Sequence, residues 1–229
     1  MARFTRMQVL NALYDISLVP VFYNPDLEVA KNVALAVSRG GCKLLEFVNR
    51  GDHGFEVFSQ LEKILAKEDP SMILGVGSIV DPYTAALFMN CGANFVVGPS
   101  LNPEVAKICN RRMVPYSPGC GSATEISAAQ EWGVEICKVF PGESVGGPKF
   151  VSSVMGPMPW TRIMPTGGVK PTQESVSAWI NAGVAAMGMG SELVTKDMLA
   201  KKDWKAIEDN VRNTMNIIKE AKAAKAGKK

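Results

Sequence analysis

Histidine is nearly absent from this sequence, since His53 is the only one among 229 residues. A metal site built on several histidines is therefore excluded, although a carboxylate site for magnesium is not. Cysteine is scarce as well, and its odd number, wide spacing and lack of a Cys-x-x-Cys pair exclude a disulfide framework and a zinc site. We expect five small buried thiols in a reducing compartment, namely Cys42, Cys91, Cys109, Cys120 and Cys137.

Long apolar runs are also missing. No stretch approaches the roughly 18 to 20 uninterrupted apolar residues that a membrane-spanning helix needs. Residues 1–6 lead into a mixed segment rather than into the apolar centre of a signal peptide. We therefore expect a soluble, cytoplasmic protein that has no membrane partner.

The net charge of +3 reflects a basic excess at one end of the chain. After Thr195 there are ten basic and five acidic residues, whereas acidic residues outnumber basic ones before it. The terminal lysines stand among alanines, without the interleaved aromatic side chains that bind single-stranded nucleic acid. We interpret them as a solvated helix end and expect no nucleic-acid partner: Lys222, Lys225, Lys228 and Lys229.

Short apolar runs alternate with segments of helical spacing, which is the pattern of repeated βα units. Eight such units in about 200 residues predict a single-domain (β/α)8 barrel, with an open doubly wound sheet as the alternative. The barrel is expected over residues 1–195, with amphipathic helices and a basic tail over 196–229 packed on the same domain. The predicted strands are Leu18–Phe22, Lys43–Val48, Met72–Val76, Phe95–Gly98, Val114–Ser117, Ile136–Phe140, Arg162–Met164 and Val184–Met187.

Several helix boundaries are marked by local signals. Asn24-Pro25-Asp26 predicts a helix start and Gly40-Gly41 its end. Four more starts are predicted at Asp81-Pro82, Asn102-Pro103, Ser122 to Glu125 as a capping box, and Lys170-Pro171-Thr172. Two apolar faces are expected to point inward: Phe55, Phe58, Leu61 and Leu65 in one helix, and Met198, Trp204, Ile207, Val211 and Ile218 near the C-terminus.

One lysine, Lys138, lies inside an otherwise apolar strand. Strand alternation puts Ile136, Lys138 and Phe140 on one face. Burying a lysine costs free energy unless the amine is paired or neutral, and a neutral amine can attack a carbonyl carbon to form a Schiff base. The alternative is a structural ion pair across the barrel.

Glu46 and Arg50 form a second polar pair in similarly apolar surroundings. They are four residues apart, so in a strand both side chains would point to the same face. A carboxylate near a lysine can move protons, and the planar guanidinium of Arg50 suits a substrate carboxylate. A purely neutralising role for Glu46 is the simpler alternative, although two buried ionic partners without chemistry would be costly. His53, in the loop after Arg50, is more simply explained as an incidental exposed residue.

Glycine-rich turns follow the last two predicted strands, at Pro165-Thr166-Gly167-Gly168 and Gly188-Met189-Gly190-Ser191. Barrels commonly bind phosphate in these two loops, because glycine lets backbone amides approach an anion closely. Tight-turn geometry alone is the alternative. By contrast, Gly75 and Gly77 lack the third glycine and the downstream acid of a dinucleotide-binding fingerprint.

The order of these motifs resembles the bacterial KDPG/KHG aldolase family from about Val19 to Leu193. The resemblance rests on Leu45-Glu46 with Arg50, Gly75-x-Gly77-Ser78, Phe95 to Pro99, Pro118-Gly119 with Thr124-Glu125, Lys138-x-Phe140-Pro141, Gly156-Pro157-x-Pro159, Pro165-Thr166-Gly167-Gly168 and Gly190-Ser191. It implies a homotrimeric barrel without metal or other cofactor. It also implies class I cleavage of 2-keto-3-deoxy-6-phosphogluconate, or of 4-hydroxy-2-oxoglutarate, to pyruvate and an aldehyde.

The resemblance also implies residue roles. Lys138 matches the imine-forming lysine and Glu46 the general acid/base. The pyruvyl and carboxylate site matches Arg50, Ser78, Pro99, Phe140 and Thr166, and the phosphate site matches Gly167, Gly168, Gly190 and Ser191. The chain departs from the family pattern around this pocket, at Gly51-Asp52, Ser78, Gly98-Pro99-Ser100 and Met189, and in lacking a tryptophan at the Gly-Ser turn.

Two other classes of function remain open from the residues alone. A different phosphate-binding barrel enzyme, such as a thiamine-phosphate-synthase-like or pentose-phosphate enzyme, shares the glycine turns but does not require Lys138. A non-catalytic binding barrel predicts that Lys138 is an ordinary, unreactive lysine.

Overall fold

A computed structural model describes residues 2–227, and Lys228 and Lys229 of the predicted basic tail lie outside them. The strands are β1 Leu18–Phe22, β2 Leu44–Val48, β3 Ile73–Gly77, β4 Val96–Val97, β5 Tyr116–Ser117, β6 Gly119–Cys120, β7 Cys137–Val139, β8 Ile163–Pro165 and β9 Met187–Met189. The helices are α1 Arg6–Ile16, α2 Leu27–Arg39, α3 Gly54–Glu68, α4 Pro82–Asn90, α5 Pro103–Arg112, α6 Ala123–Glu131, α7 Gly147–Met155, α8 Gln173–Ala182, α9 Lys196–Ala200 and α10 Trp204–Ala226.

The strands form a closed parallel barrel. One run pairs in the order β5-β4-β3-β2-β1-β9 and a second in the order β6-β7-β8, every pair being parallel. A bridge between Thr166 and Gly188 joins the end of β8 to β9. Helices follow the strands in βα alternation, so the predicted (β/α)8 barrel is confirmed and the open sheet is wrong.

The fifth barrel strand is interrupted rather than continuous. It was predicted to end at Ser117, whereas β6 continues the same path after Pro118. Proline has no amide hydrogen to donate to a neighbouring strand. The carbonyl of Pro118 still accepts from the amide of Lys138 at 3.0 Å, so β5 and β6 act as two halves of one barrel strand.

The helix starts follow the predicted capping residues. The side chains of Asp26, Asp81, Asn102 and Thr172 each accept a backbone amide at the start of their helix. At α6 the predicted capping box is shifted. Ser122 accepts from the amide of Glu125, but the Glu125 carboxylate accepts from Gly121 one residue earlier than expected.

Helix α1 was not predicted, although its capping box was visible in the sequence as Thr5 and Gln8. Its residues Val9, Leu10 and Leu13 are buried in the core. The segment before it lies at the amino ends of the strands, since the side chain of Arg3 donates to the carbonyl of Met72, immediately before β3, at 2.9 Å. This end of the barrel is therefore covered by the N-terminal segment.

The outer helices bury the predicted apolar faces. In α3, Phe58, Leu61 and Leu65 are buried, whereas Phe55 in the first turn is 36% exposed beside the exposed loop 51–53, so its predicted inward position is wrong. In α10, the inward residues Ile207, Val211 and Ile218 are buried, and Met198 and Trp204 are partly buried against the core. Within the described residues, none of the helices has the length and apolar character needed to span a bilayer.

Candidate active site

Lys138 lies at the centre of β7 and is only 5% exposed. It pairs in register with Gly119 on β6 and Met164 on β8. Its Nζ lies 4.8 Å from the centroid of the Phe140 ring, which contacts the ammonium through its electron-rich face. No residue within 2–227 forms a hydrogen bond or a salt bridge with this amine, so the structural ion pair, which was the alternative interpretation of Lys138, is not formed as a direct contact.

Glu46 lies at the centre of β2 and is 1% exposed. Burial raises the pKa of its carboxyl group, and the positive charge of Lys138 partly offsets that rise. Its Oε2 is buried and has no hydrogen-bond partner among the described residues. A buried carboxyl oxygen without a partner is unusual and is expected where the partner is a substrate or a reacting water.

Glycine on the neighbouring strand makes room for this carboxyl group. A Cβ atom at Gly77 would overlap Oε1 of Glu46, and one at Gly75 would overlap the ring of Phe95. The Gly75-x-Gly77 pair therefore serves side-chain packing inside the barrel, in agreement with its failure to match a dinucleotide-binding fingerprint.

Thr166 repeats this arrangement on the other side of the barrel. Its Oγ1 is the second buried side-chain atom that lacks a hydrogen-bond partner in the described part of the chain. Gly188 faces it, and a Cβ atom there would overlap that oxygen. The Glu46 carboxyl group and the Thr166 hydroxyl group thus both lack a hydrogen-bond partner among the described residues and face the inside of the barrel near its carboxyl end. In each case a glycine on the neighbouring strand makes room for the group.

A cavity of about 560 Å³ opens at this end and gathers most of the predicted site. Its lining includes the predicted Arg50, Phe140, Thr166, Gly167, Gly168, Gly190 and Ser191. Strand alternation places Lys138 on the same face as Phe140, and Glu46 on the same face as Val48, which also lines the cavity. The two proposed reacting groups therefore lie one layer below the cavity.

Three other residues singled out in the sequence lie away from the cavity. Ser78 and Pro99 follow β3 and β4 at the same end of the barrel but do not line it. Ser78 adopts a left-handed φ of 61°, an uncommon conformation for a non-glycine residue. His53 is exposed and its Nδ1 lies 3.1 Å from Glu56, in agreement with an incidental role.

The glycine turns present unused amides to the cavity. Gly168 has a left-handed φ of 82°, and the side chain of Glu143 occupies the space that a Cβ atom would need. Within residues 2–227, the amides of Gly168, Gly190 and Ser191 donate no hydrogen bond. Free amides from two adjacent turns form a concave site that suits an anion.

Four polar residues in the cavity lining were not predicted as site residues, namely Tyr23, Lys170, Glu192 and Lys196. Each follows a barrel strand at its carboxyl end, and that position is the only sequence signal that distinguishes them. In the part of the chain that the structure describes, no group of three or more His, Cys, Asp or Glu side chains is arranged to hold a metal ion.

The sequence pattern of the family described as KDPG and KHG aldolase matches residues 9–210. The chain belongs to this aldolase family. The resemblance drawn from the motifs is thereby confirmed, as is the predicted enzyme class, a carbon–carbon lyase of the class I type. The thiamine-phosphate-synthase-like and non-catalytic alternatives are not supported.

Individual relatives are similar in sequence to this chain over nearly its whole length. The chain is 28% identical to a 2-dehydro-3-deoxy-phosphogluconate aldolase of Haemophilus influenzae over 217 residues, covering 94% of this chain and 99% of that protein. It is 30% identical to a KHG/KDPG aldolase of Escherichia coli over 202 residues, covering 88% and 92%. A crystal structure of the KDPG aldolase of Legionella pneumophila shares the fold with a TM-score of 0.81 at 23% identity, covering 90% of this chain and 97% of that one.

Proposed function

We propose that this aldolase cleaves 2-keto-3-deoxy-6-phosphogluconate to pyruvate and glyceraldehyde 3-phosphate through a Schiff base on Lys138. The observation that carries the proposal is a buried lysine without a hydrogen-bond partner that lies beneath a cavity, with a buried carboxyl group nearby. Support also comes from the names of the relatives. In the Legionella protein, pyruvate was captured as a covalent carbinolamine.

The first half of the reaction forms the imine. The Nζ of Lys138 attacks the 2-keto carbon, and the resulting carbinolamine loses water to give a protonated imine. When the C3–C4 bond breaks, its electron pair forms the C2–C3 double bond of an enamine, and the positive nitrogen of the imine takes up the electrons of the C=N bond. The lysine thus provides the electron sink, and the reaction requires neither a metal nor another cofactor.

The second half breaks the bond and regenerates the enzyme. Glu46, directly or through a water molecule, takes the proton of the C4 hydroxyl group while the C3–C4 bond breaks and the aldehyde leaves. The enamine is then protonated at C3 by the same carboxyl group. Water adds to the imine, replacing the one lost earlier, and releases pyruvate.

The remaining residues bind the two ends of the substrate. Arg50 lies exposed at the cavity without a partner in residues 2–227, and its planar guanidinium can hold the carboxylate of the keto acid. Phe140 covers the amine, and Thr166 Oγ1 provides a hydroxyl group to the pyruvyl unit. Ser78 and Pro99 are assigned to the pyruvyl side only by the family resemblance, since both follow their strands at this end of the barrel but do not line the cavity.

The glycine turns would bind the phosphate through the amides of Gly167, Gly168, Gly190 and Ser191. 4-Hydroxy-2-oxoglutarate, which yields pyruvate and glyoxylate, is a second candidate substrate because the Escherichia coli relative is named for both activities. Both substrates share the pyruvyl half, so the chemistry at Lys138 is the same.

The test is borohydride reduction in the presence of pyruvate, followed by intact-mass spectrometry and peptide mapping. We expect a reduced pyruvyl adduct on Lys138, its loss in Lys138→Met, and its retention in Lys149→Met, which changes an exposed lysine outside the cavity. Folded protein that forms no adduct, or an adduct on another lysine, would disprove the mechanism.

We also propose that the chain assembles as a homotrimer. The support is an exposed apolar face at the start of α4, where Val80, Tyr83 and Leu87 are 59%, 84% and 41% exposed. Light scattering should give three times the chain mass of 24.6 kDa. Tyr83→Asp should reduce that mass, whereas a monomeric wild-type protein would contradict the proposal.

Finally, we propose a cytoplasmic location. The five cysteines are all free thiols, as suits a protein kept in a reducing compartment. Four of them are buried as predicted, whereas Cys91 is partly exposed, so its predicted burial is wrong. Cell fractionation with an antibody against the chain tests this, and recovery in a membrane or extracellular fraction would contradict it.

A further inference from the structure

Two lysines line the outer part of the cavity and have no role in the mechanism described above. Lys170 follows β8 just after the first glycine turn, and Lys196 begins α9 just after the second turn. Both contribute to the same cavity wall as Gly168, Gly190 and Ser191.

Neither lysine has an acidic partner in the described part of the chain. No carboxylate lies within 4 Å of either ammonium group, and neither Nζ forms a hydrogen bond there. Nearby lysines behave differently, since Lys201 binds Asp197 at 2.9 Å and Lys205 binds Asp209 at 2.8 Å. Lysines that line a cavity without a protein partner are available to a ligand.

The charge of the cavity wall is unbalanced. Arg50, Lys170 and Lys196 contribute three positive charges, and Glu192 contributes one negative charge. Arg50 follows β2, whereas the two lysines follow β8 and β9 on the other side of β1. The positive charge is therefore divided between two sides of the cavity, which suits a substrate that is anionic at both ends.

We propose that Lys170 and Lys196 are specificity-determining residues that bind the terminal phosphate of the substrate and select phosphorylated keto acids over unphosphorylated ones. This proposal rests on the proposed function, because it places the keto-acid end at Lys138. A phosphate monoester carries nearly two negative charges at neutral pH, so two ammonium groups and the free amides match it better than they match a single carboxylate.

The kinetic test compares two substrates in wild type, Lys170→Gln, Lys196→Gln and the double variant. For 2-keto-3-deoxy-6-phosphogluconate we expect KM to rise about tenfold for each lysine, with kcat changing less than twofold. For the unphosphorylated 2-keto-3-deoxygluconate, KM should not change. Lys149→Gln is the matched control, because this exposed lysine of α7 lies outside the cavity.

An unchanged KM for the phosphorylated substrate in the double variant would overturn the proposal, as would an equal loss for both substrates. 4-Hydroxy-2-oxoglutarate carries a distal carboxylate in place of the phosphate, so it tests whether the lysines discriminate between these two anions. A loss on this substrate as large as that on the phosphorylated one would show that the lysines bind a carboxylate equally well and would also overturn selection for phosphate.

A binding measurement separates this proposal from the proposed function. Inorganic phosphate titrated into wild type should bind, and the double variant should bind it at least about tenfold more weakly. The pyruvate adduct formed with borohydride should be equal in both proteins, because pyruvate has no distal anion. If wild type forms no adduct, the aldolase mechanism is refuted. If wild type binds no phosphate, or if the double variant binds phosphate as tightly as wild type does, the role of the lysines is refuted.

Discussion

At the scale of a single residue, the buried carboxyl group of Glu46, the proposed general acid/base, also affects stability. Its pKa lies above the ordinary value of about 4.3 because burial disfavours the charged form, with a smaller opposing effect from Lys138. Because the pKa of this group is higher in the folded state than in the unfolded state, the group contributes to stability at pH values below its unfolded-state pKa. That contribution is lost as the pH rises through its folded-state pKa.

Glu46→Gln should therefore stabilise the protein at neutral pH, because glutamine resembles the protonated acid. We expect a higher free energy of unfolding for the variant than for wild type at pH 7. The difference should disappear at about pH 4, where wild type is also protonated. Denaturant unfolding across pH measures it.

The same variant should still form the pyruvate adduct but cleave substrate slowly, since the proton acceptor is missing. Glu56→Gln, on the exposed surface of α3, is the control and should change neither property. Equal stability of Glu46→Gln and wild type at pH 7 would show that the carboxyl group is not held in an unfavourable environment.

The space beside Glu46 leads to a second prediction at this scale. Gly77→Ala puts a methyl group where Oε1 lies, so the carboxyl group must move away from its position near Lys138. We expect kcat to fall about a hundredfold, as for loss of a general acid/base, with the borohydride adduct retained. Steady-state kinetics and adduct mass measure the two effects.

Gly156→Ala is the matched control. Gly156 has a φ of −57°, and the nearest atom to an added Cβ, the carbonyl oxygen of Ser153, lies 3.5 Å away. This variant should keep wild-type kcat. If Gly77→Ala also kept it, the position of the Glu46 carboxyl group would not matter to the reaction.

At the scale of the element, local capping chemistry sets where most helices begin. Asp81 shows this most fully, since its Oδ1 accepts from the amides of Tyr83 and Thr84 and its Oδ2 accepts from the Thr84 hydroxyl group. These hydrogen bonds to the ionised form hold the pKa of Asp81 below its ordinary value. Its stabilising effect is therefore present above about pH 4 and is lost as pH falls through the lowered pKa.

Asp81→Ala should lower the free energy of unfolding by about 0.5 to 2 kcal/mol at pH 7, and the loss should shrink in acid. Asp81→Asn keeps an amide oxygen that can accept the backbone bonds, so it should cost less and show no such pH dependence. Chemical denaturation at pH 7 and pH 3 measures both variants. An equal cost at the two pH values would show that ionisation of Asp81 does not stabilise α4.

At the scale of the whole molecule, we propose that residues 1–195 and 196–229 form one cooperative unit. Val211 and Ile207 of α10 are buried, and a Cβ atom at Gly40, the residue that caps α2, would lie 2.7 Å from Cβ of Val211. Because α10 packs this closely on the end of α2, it has no hydrophobic core of its own. Unfolding should therefore occur in a single transition.

Val211→Ala should lower the stability of the whole chain by about 2 kcal/mol, because it removes two buried methyl groups and leaves a cavity. Calorimetry should show one transition shifted down by about 4 to 8 °C. Asn213→Ala, on the exposed side of α10, should leave the transition in place. Two separate transitions, of which only one responds to Val211→Ala, would contradict the proposal.

The sequence by itself determined the order of the βα units and five of the ten helix starts in the described residues, and it singled out Lys138 and Glu46, the two residues proposed to react. These features are local, because capping residues act within one helical turn and a charged residue in an apolar strand contrasts with its own neighbours. Lys138 and Glu46 could be recognised for that reason. Helix α1 was missed although its capping box was equally local.

Only the tertiary structure decided which residues meet across the barrel. Gly77 beside Glu46, Gly188 beside Thr166 and the break at Pro118 depend on the register between strands, which no single segment encodes. Lys170 and Lys196 were missed for a related reason. An exposed lysine in a loop resembles any other surface lysine until closure of the barrel brings two strand ends to the wall of one cavity.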